Sequence, residues 1–218
     1  MTRRILTALF FCLFFAAAGA FAQADLSVSI GGAFTPDSAA SSKVPILCVI
    51  TLPNCNQTTV KTHSKTAYEA TLGLHLIGIK AASLSLELPV MGVPARTVQS
   101  IGGIPVPRDF SSVFVTPSVR LRLLSGAAIS PFVSGGAGFV HFRESKTLTS
   151  LLPNPFSTGT NASAFQVGGG VDIKTPVPHL GLRGEVRDYI TGRPNFNVNF
   201  ASGRQQNLFV GGGIVLHF

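Results

Sequence analysis

Apolar residues alternate with polar or small residues along several stretches of the chain. Such a period of two is typical of a strand whose two faces meet different surroundings. In the last stretch, Phe218, Leu216 and Ile214 fall on one face while His217 falls on the other. The pattern predicts eight strands, at residues 25–35, 66–80, 83–90, 110–124, 129–142, 162–174, 180–191 and 205–218.

The connections between these strands alternate strictly in length. The long ones are rich in Pro, Asn, Ser and Thr and lie at 36–65, 94–109, 143–161 and 192–204, while the short ones lie at 81–82, 125–127 and 175–179. Barrels of bacterial outer membranes have long outer loops and short periplasmic turns, whereas a Greek-key sandwich has no reason to alternate them. We therefore predict an all-β fold, an eight-stranded antiparallel up-and-down transmembrane β-barrel whose last strand pairs with its first.

The composition agrees with strands, not helices, as the spanning elements. Hydrophobic residues make up 45% of the chain and charged residues 12%, against roughly a quarter charged in water-soluble proteins. The 23 Gly and 14 Pro disfavour long helices. After residue 24 no uncharged apolar run approaches the roughly 20 residues that a spanning helix requires.

The first residues have the features of a secretory signal peptide. Arg3 and Arg4 precede an uncharged apolar run at 5–18, and small residues suited to cleavage follow it. We predict a signal peptide at 1–22 and a barrel domain at 23–218, located in the bacterial outer membrane. The sequence pI of about 10.0 would suggest nucleic acid as a partner, but we do not expect an exported protein to bind nucleic acid.

Charged residues of the predicted strands lie on the faces opposite the Leu, Val and Ile residues. A soluble sandwich predicts the same alternation, so charge by itself does not separate the two folds. Arg120 and Arg183 belong to clusters in the middle of strands, where a narrow lumen would pair them with acids. We predict a packed polar network in the lumen, favoured over an ion pathway, formed by Glu69, Glu87, Arg120, Arg122, Asp172, Arg183, Glu185 and Arg187.

Two cysteines remain after signal cleavage, and both fall in the first long connection. Secretion makes a disulfide between Cys48 and Cys55 the expected state. A metal site would need more ligands than the nearby His63 supplies. We therefore predict a disulfide and neither a metal nor a cofactor.

Three segments resemble the small OmpA-like outer-membrane barrel domains. They are the strand Gly181–Tyr189, the strand Pro131–Gly138 and the glycine-rich run Gly168–Asp172. The resemblance implies an envelope-integrity, adhesin-like or surface-antigen role without catalysis. It also implies that Phe218 is an assembly signal for the barrel assembly machinery. We further expect a monomer with aromatic girdles built from Phe, for example Phe110, Phe139, Phe142 and Phe218.

Two alternative functions stay open. One is a narrow solute channel. The other is a lipid A deacylase-like enzyme, which needs Ser, His and an acid close together near the membrane rim. The candidates are His141 with Ser145 and Glu144, or His63 with Ser64. Neither set matches the His-x-Ser arrangement of the deacylases.

The basic residues in and beside the long connections lead us to expect attraction to negatively charged membrane lipid. The outer leaflet of a bacterial outer membrane presents lipopolysaccharide, which we expect as a partner alongside outer-membrane lipid. The residues concerned are Lys43, Lys61, Lys65, Arg96, Arg108, Arg193 and Arg204.

Overall fold

The computed structural model describes residues 23–42, 58–79, 81–101, 105–154, 158–194, 196 and 198–218. The predicted signal peptide and both Cys48 and Cys55 lie outside these residues. Twelve strands occur within the described part of the chain. They are β1 (Ala24–Phe34), β2 (Ser38–Ser42), β3 (Thr58–Thr62), β4 (Lys65–Ile79), β5 (Ala82–Ile101), β6 (Asp109–Val115), β7 (Ser118–Leu123), β8 (Ile129–Glu144), β9 (Gly159–Lys174), β10 (Leu180–Gly192), β11 (Val198–Phe200) and β12 (Arg204–His217).

The long strands form a closed antiparallel ring. Each pairs with its neighbours in the order β1, β4, β5, β6 with β7, β8, β9, β10 and β12. The ring closes because β1 pairs with β4 along one edge and with β12 along the other, with Leu26 opposite Leu216. The predicted eight-stranded antiparallel barrel, and the pairing of its last strand with its first, are confirmed.

One predicted strand, 110–124, is divided into β6 and β7. Pro117 lies in the interruption and Pro89 lies on the adjacent strand β5, and neither has a backbone N–H to donate. The wall stays continuous because Thr116 N donates to the Pro89 carbonyl at 3.3 Å and Ala137 N donates to the Pro117 carbonyl at 3.2 Å. The two prolines therefore remove hydrogen bonds from the ladder, but the neighbouring strands stay paired at this point.

The long connections are more ordered than the sequence predicted. Strand β5 continues to Ile101, through most of the residues expected as a loop at 94–109. Strands β2, β3 and β11 lie in the other predicted loops and pair in the order β11, β2, β3, β5. This small sheet, which we call the outer extension, forms because the outer part of β5 offers its free edge to β3, with Ile101 opposite Thr59. The loop assignments at 36–65, 94–109 and 192–204 were therefore wrong for these residues.

Glycines allow the strands to coil closely at two places. A Cβ atom at Gly213 would overlap the carbonyl of Val28, and one at Gly138 would overlap the carbonyl of Val115. Both positions bring a neighbouring backbone into direct contact with the strand. A narrow barrel needs such close approaches.

The two faces of the wall differ as expected for a barrel in lipid. The outer face carries exposed apolar side chains around the ring, among them Leu26, Val28, Val113, Leu121, Val133, Val167, Leu182, Val186 and Ile214. The inner face carries the buried polar and charged residues. No helix in the described part of the chain has the length and apolarity to span a membrane. An apolar outer band on a closed antiparallel barrel places the chain in a bacterial outer membrane.

Candidate functional site

We call the barrel end with the short turns the inner end and the end with the outer extension the outer end. In outer-membrane barrels, short turns face the periplasm and long connections face outward. The interior between these ends contains the buried charged residues and a cluster of buried aromatic rings, so it is the first candidate for a functional site.

Arg120 lies at the centre of the inner half and is completely buried. Its Nη2 atom lies 2.9 Å from Asp25 Oδ2, and its Nη1 atom lies 3.0 Å from Glu87 Oε1. Arg122, two residues along the same strand face, lies 3.1 Å from Asp25 and 3.0 Å from Asp172. Two arginines thus bridge carboxylates that come from β1, β5 and β9.

Arg187 forms a second centre of the buried ion pairs. Its Nε atom lies 2.9 Å from Glu185 and 3.1 Å from Glu69, and its Nη2 atom lies 3.4 Å from Glu87. The Tyr189 hydroxyl donates to Glu69 at 2.9 Å. Because Glu87 is paired with both Arg120 and Arg187, the two centres are one connected network.

The structure places all eight residues of the predicted network in the interior, each buried. Sequence reasoning missed Asp25, which accepts from both arginines of β7. Asp25 shares the polar face of β1 with Ser27 and Ser29, and this alternation was the signal that could have found it. Asp25 also bonds His217 Nδ1 at 2.6 Å and His75 Nε2 at 3.0 Å.

Aromatic rings fill the outer half of the interior. The centroids of Phe114 and Tyr189 are 5.0 Å apart, as are those of Phe110 and Phe196. Phe142 packs 6.1 Å from Phe110 and 6.3 Å from Phe114. Phe110 and Phe142 are fully buried, so their assignment to a lipid-facing girdle was wrong. They share a strand face with inward residues such as Ser112, while Phe139 and Phe218 are exposed as expected.

Arg96 is also inside the barrel, not in a connection near the lipid surface as predicted. A register shift in the pairing of β5 with β6, between Val93 and Arg96, turns its side chain inward. The guanidinium donates to Thr35 at 2.8 Å and to Ser112 at 3.2 Å, and it lies 4.6 Å from the centre of the Phe110 ring. None of the ion pairs found among the described residues includes Arg96.

The candidate catalytic residues are not brought together. His141 points outward and bonds Asn161 at 2.7 Å, whereas Glu144 points inward and accepts from Thr160 at 2.8 Å. His63 and Ser64 are exposed in the turn between β3 and β4. The two predicted sets therefore lack the geometry of a nucleophile with its base.

A different chain of Ser, His and Asp lies near the inner end. The Ser85 hydroxyl lies 3.1 Å from His75 Nδ1, and His75 Nε2 lies 3.0 Å from Asp25. Ser85 has no exposed surface, and Asp25 is shared with His217 and two arginines. The described residues contain no group of three or more His, Cys, Asp or Glu suited to hold a metal ion.

The inner end opens into a cavity of about 670 Å³. Strand ends and the turn at 175–179 surround it. The polar side chains that line it include those of Ser83, Arg122, Lys174, His75, His179 and His217. The charged network therefore ends, on the periplasmic side, at a space that a small polar ligand could enter.

Comparison by sequence finds no matching protein-family model and no similar curated protein. Comparison by structure finds outer-membrane proteins. Neisserial surface protein A matches with a TM-score of 0.51 at 12% identity, over 89% of this chain and 97% of that one. OprG from Pseudomonas aeruginosa matches with a TM-score of 0.46 at 14% identity, over 90% and 96%.

The attachment invasion locus protein of Yersinia pestis, Ail, matches with a TM-score of 0.44 at 12% identity, over 89% of this chain and 99% of that one. At these identities the similarity concerns the fold and not the function. The closed ring of eight strands and the match to Neisserial surface protein A agree with the resemblance found in the sequence. This chain has the fold of the small, OmpA-like eight-stranded outer-membrane β-barrels.

Proposed function

We propose that the protein is a non-catalytic, non-conducting outer-membrane barrel with a structural and surface-interaction role. The filled interior is the observation that carries this proposal. An ion-pair network occupies the inner half and packed aromatic rings occupy the outer half. The solvent-facing parts that can meet a partner are therefore the two ends.

The network supports a structural role of the interior. Arg120 and Arg187 have no exposed surface, and each lies within ion-pair distance of several carboxylates. Breaking such a buried pair by removing one partner costs about 3–5 kcal/mol. A stable, paired plug holds the strands together, whereas a solute pathway needs hydrated space between the charges.

The outer extension supports a surface role. Val60, Val98 and Phe196 are buried and belong to the same hydrophobic core as Phe110 and Phe114 of the barrel interior, so the extension is packed onto the barrel. The segment 145–154 lies against residues 105–108 and is held by Arg108 N donating to Thr147 O at 3.0 Å. This segment presents Leu151 and Leu152, whose exposed fractions are 75% and 62%. A hydrogen-bonded surface segment with exposed apolar residues is suited to recognition.

A groove at the outer rim supports lipopolysaccharide as a partner. The groove has a volume of about 360 Å³ and lies between β9, β10 and β12, with Phe165, Ile190 and Arg204 in its lining. Phe165 can contact an acyl chain, while Arg204 can pair with a phosphate. Lipopolysaccharide carries both groups, so we propose it as the lipid partner at this rim.

Poor access of a substrate to the candidate nucleophile argues against catalysis. The Ser85 hydroxyl that neighbours His75 is completely buried, so a carbonyl carbon cannot reach it. The rim candidates His141 and Glu144 lie on opposite faces of β8. A mechanism with a serine nucleophile would need one of these sets to lie within hydrogen-bond distance of one another and to be reachable by a substrate.

The plug is tested by conductance in planar bilayers with the purified full chain. We expect no steady single-channel current in the native barrel. A steady current through the native barrel that the Phe114→Ala substitution increases would contradict the plug. The conducting pathway would then pass between the aromatic rings.

The lipid partner is tested with lipid A in detergent micelles. We expect saturable binding that weakens when salt is raised and when Arg204 is replaced in Arg204→Gln. Lys61→Gln is the matched control, because Lys61 is already paired with Asp37 at 3.6 Å. Equal binding by both variants would reject the groove as the lipid A site.

A further inference from the structure

One carboxylate of the described residues lies within the lipid-facing band of the barrel wall. Asp188 lies on β10 between Arg187 and Tyr189, which point into the barrel, so its own side chain points outward and is partly exposed. Of the nine acidic residues of the chain, six are buried in the interior and two lie at the outer end. Asp188 is the remaining one. An ionisable side chain that faces lipid costs free energy, and it therefore indicates a function.

The neighbours of Asp188 on this face are apolar. It lies opposite Val167 on β9 and opposite Leu208 on β12, and both of these side chains are exposed to the lipid. Val186, two residues earlier on the same face of β10, is exposed as well. The strand continues beyond Asp188 to Gly192, a length of roughly 13 Å. The carboxyl group therefore lies below the outer rim, inside the apolar band.

Asp188 lacks a charged partner. Among the described residues no basic side chain forms an ion pair with it, and the hydrogen bond that it accepts comes from the backbone N–H of Asn207. Its Oδ1 atom is covered and has no hydrogen-bond partner among the same residues. Arg204 lies opposite Gly192 on β12, roughly 13 Å along the wall from Asp188. The carboxylate thus joins no ion pair of the wall.

The groove at the outer rim lies directly above Asp188. Phe165 and Ile190 lie opposite each other on β9 and β10, one outward position closer to the rim, and both line the groove. Gly192 also lines it and has no side chain to fill it. The wall therefore presents the guanidinium of Arg204 at the rim, apolar side chains below it and a carboxylate below those.

We propose that Asp188 makes this groove selective for lipids whose acyl chains carry hydrogen-bond donors, hydroxyl or amide N–H groups, close to the headgroup. This selectivity presupposes that the groove binds lipid through Arg204, as in the proposed function. The acyl chain lies over Phe165 and Ile190, and its donor reaches Asp188 Oδ2, because Oδ1 is covered by the protein.

The chemistry of the ligands explains the preference. Lipid A carries phosphate groups, amide-linked acyl chains and hydroxyl groups on those chains. A glycerophospholipid also carries a phosphate, but its ester-linked chains offer acceptors only. Such a lipid leaves the carboxylate of Asp188 unpaired in the groove, and a site built to accept a hydrogen bond rejects ligands without the donor.

The test compares lipid A with phosphatidylglycerol, using the full chain refolded in detergent micelles. Binding is followed by NMR shifts of the backbone amides of β9, β10 and β12. The readout is the ratio of the two affinities, because loss of the negative charge changes the attraction of both phosphates in the same direction. We expect Asp188→Leu to lower this ratio about tenfold, the effect of one hydrogen bond to a charged group. Asp188→Asn keeps an acceptor and should lower the ratio less.

Asp109→Leu is the matched control. It makes the same chemical change at a partly exposed position at the outer end of β6, outside the groove, so the ratio should stay at the native value. Asp188→Leu places an apolar side chain against lipid, so the variant should keep its heat-modifiable migration on gels. Its free energy of unfolding in urea without lipid A should not fall below that of the native chain.

Three outcomes overturn the selectivity. The first is an affinity ratio that is the same in Asp188→Leu and Asp109→Leu. The second is a loss of stability in Asp188→Leu without lipid A, which would assign the carboxylate to holding the barrel. The third is a native dimer that Asp188→Leu dissociates, which would assign the residue to a contact between two copies of the chain.

The selectivity and the proposed lipid groove fail in different ways. Absence of lipid A binding to the native barrel would overturn both. Binding of lipid A that weakens in Arg204→Gln, with an unchanged ratio in Asp188→Leu, would overturn the role of Asp188 and leave the groove in place.

Discussion

Arg183 and Asp172 form a bidentate pair across neighbouring strands of the barrel interior. Arg183 Nε lies 2.7 Å from Asp172 Oδ1, and Nη2 lies 3.1 Å from Oδ2. The two residues are directly opposite each other in the pairing of β10 with β9. The pair is buried, and Arg122 shares the same carboxylate at 3.0 Å. A cross-strand ion pair thus links the wall of the barrel to the network that fills it.

Replacing this carboxylate should destabilise the barrel strongly. Asp172→Asn removes the carboxylate charge that the buried Arg183 and Arg122 share. We expect the free energy of unfolding to fall by about 3–5 kcal/mol. The measurement is the free energy of unfolding in urea after refolding in detergent. Asp37→Asn is the control, because it removes an exposed pair and should cost less than about 1 kcal/mol. Equal losses for the two variants would contradict the structural role of the pair.

Two buried arginines should differ in their importance for stability. Arg187→Met leaves Glu69 and Glu185 unpaired and should cost about 3 kcal/mol or more. Arg96→Met removes a guanidinium that has only neutral polar partners and an aromatic ring, so we expect a smaller loss. Urea unfolding of both variants measures the difference. A larger loss for Arg96→Met would show that its neutral partners matter more than ion pairing.

Barrel closure should depend on one glycine of the closing strand. Gly213→Ala places a Cβ against the carbonyl of Val28 on β1, so the pairing of β12 with β1 must distort. We expect slower or incomplete refolding, visible as loss of the heat-modifiable band. Gly92→Ala is a suitable control, since a Cβ there meets no atom within 4 Å. Normal refolding of Gly213→Ala would show that β1 and β12 can separate at this point.

The buried serine beside His75 should not react as a nucleophile. A fluorophosphonate probe is expected to leave Ser85 unlabelled in the folded barrel, because the hydroxyl has no exposed surface. Mass spectrometry of the treated protein makes the measurement. A label on Ser85 that Ser85→Ala and His75→Gln both abolish would instead establish a reactive site and refute the non-catalytic proposal.

The residues that the sequence mispredicted share a physical cause. Arg96 follows a bulge, and a bulge reverses the face of every later residue in a strand. Phe110 and Phe142 were taken as lipid-facing because they are aromatic, although their position in the alternation places them with inward residues such as Ser112. The outer extension escaped notice because its strands are short and rich in Ser and Thr.

The sequence by itself determined the number of spanning strands, their alternation of apolar and polar faces, and the closure of the last strand on the first. These features are local, since a period of two and the length of a connection are visible without knowing what lies opposite. Only the tertiary structure decided which charges meet, and that Asp25 joins His75 and His217. Such relations depend on the register between strands far apart in the chain, and a shift of one residue would reverse the face of each side chain.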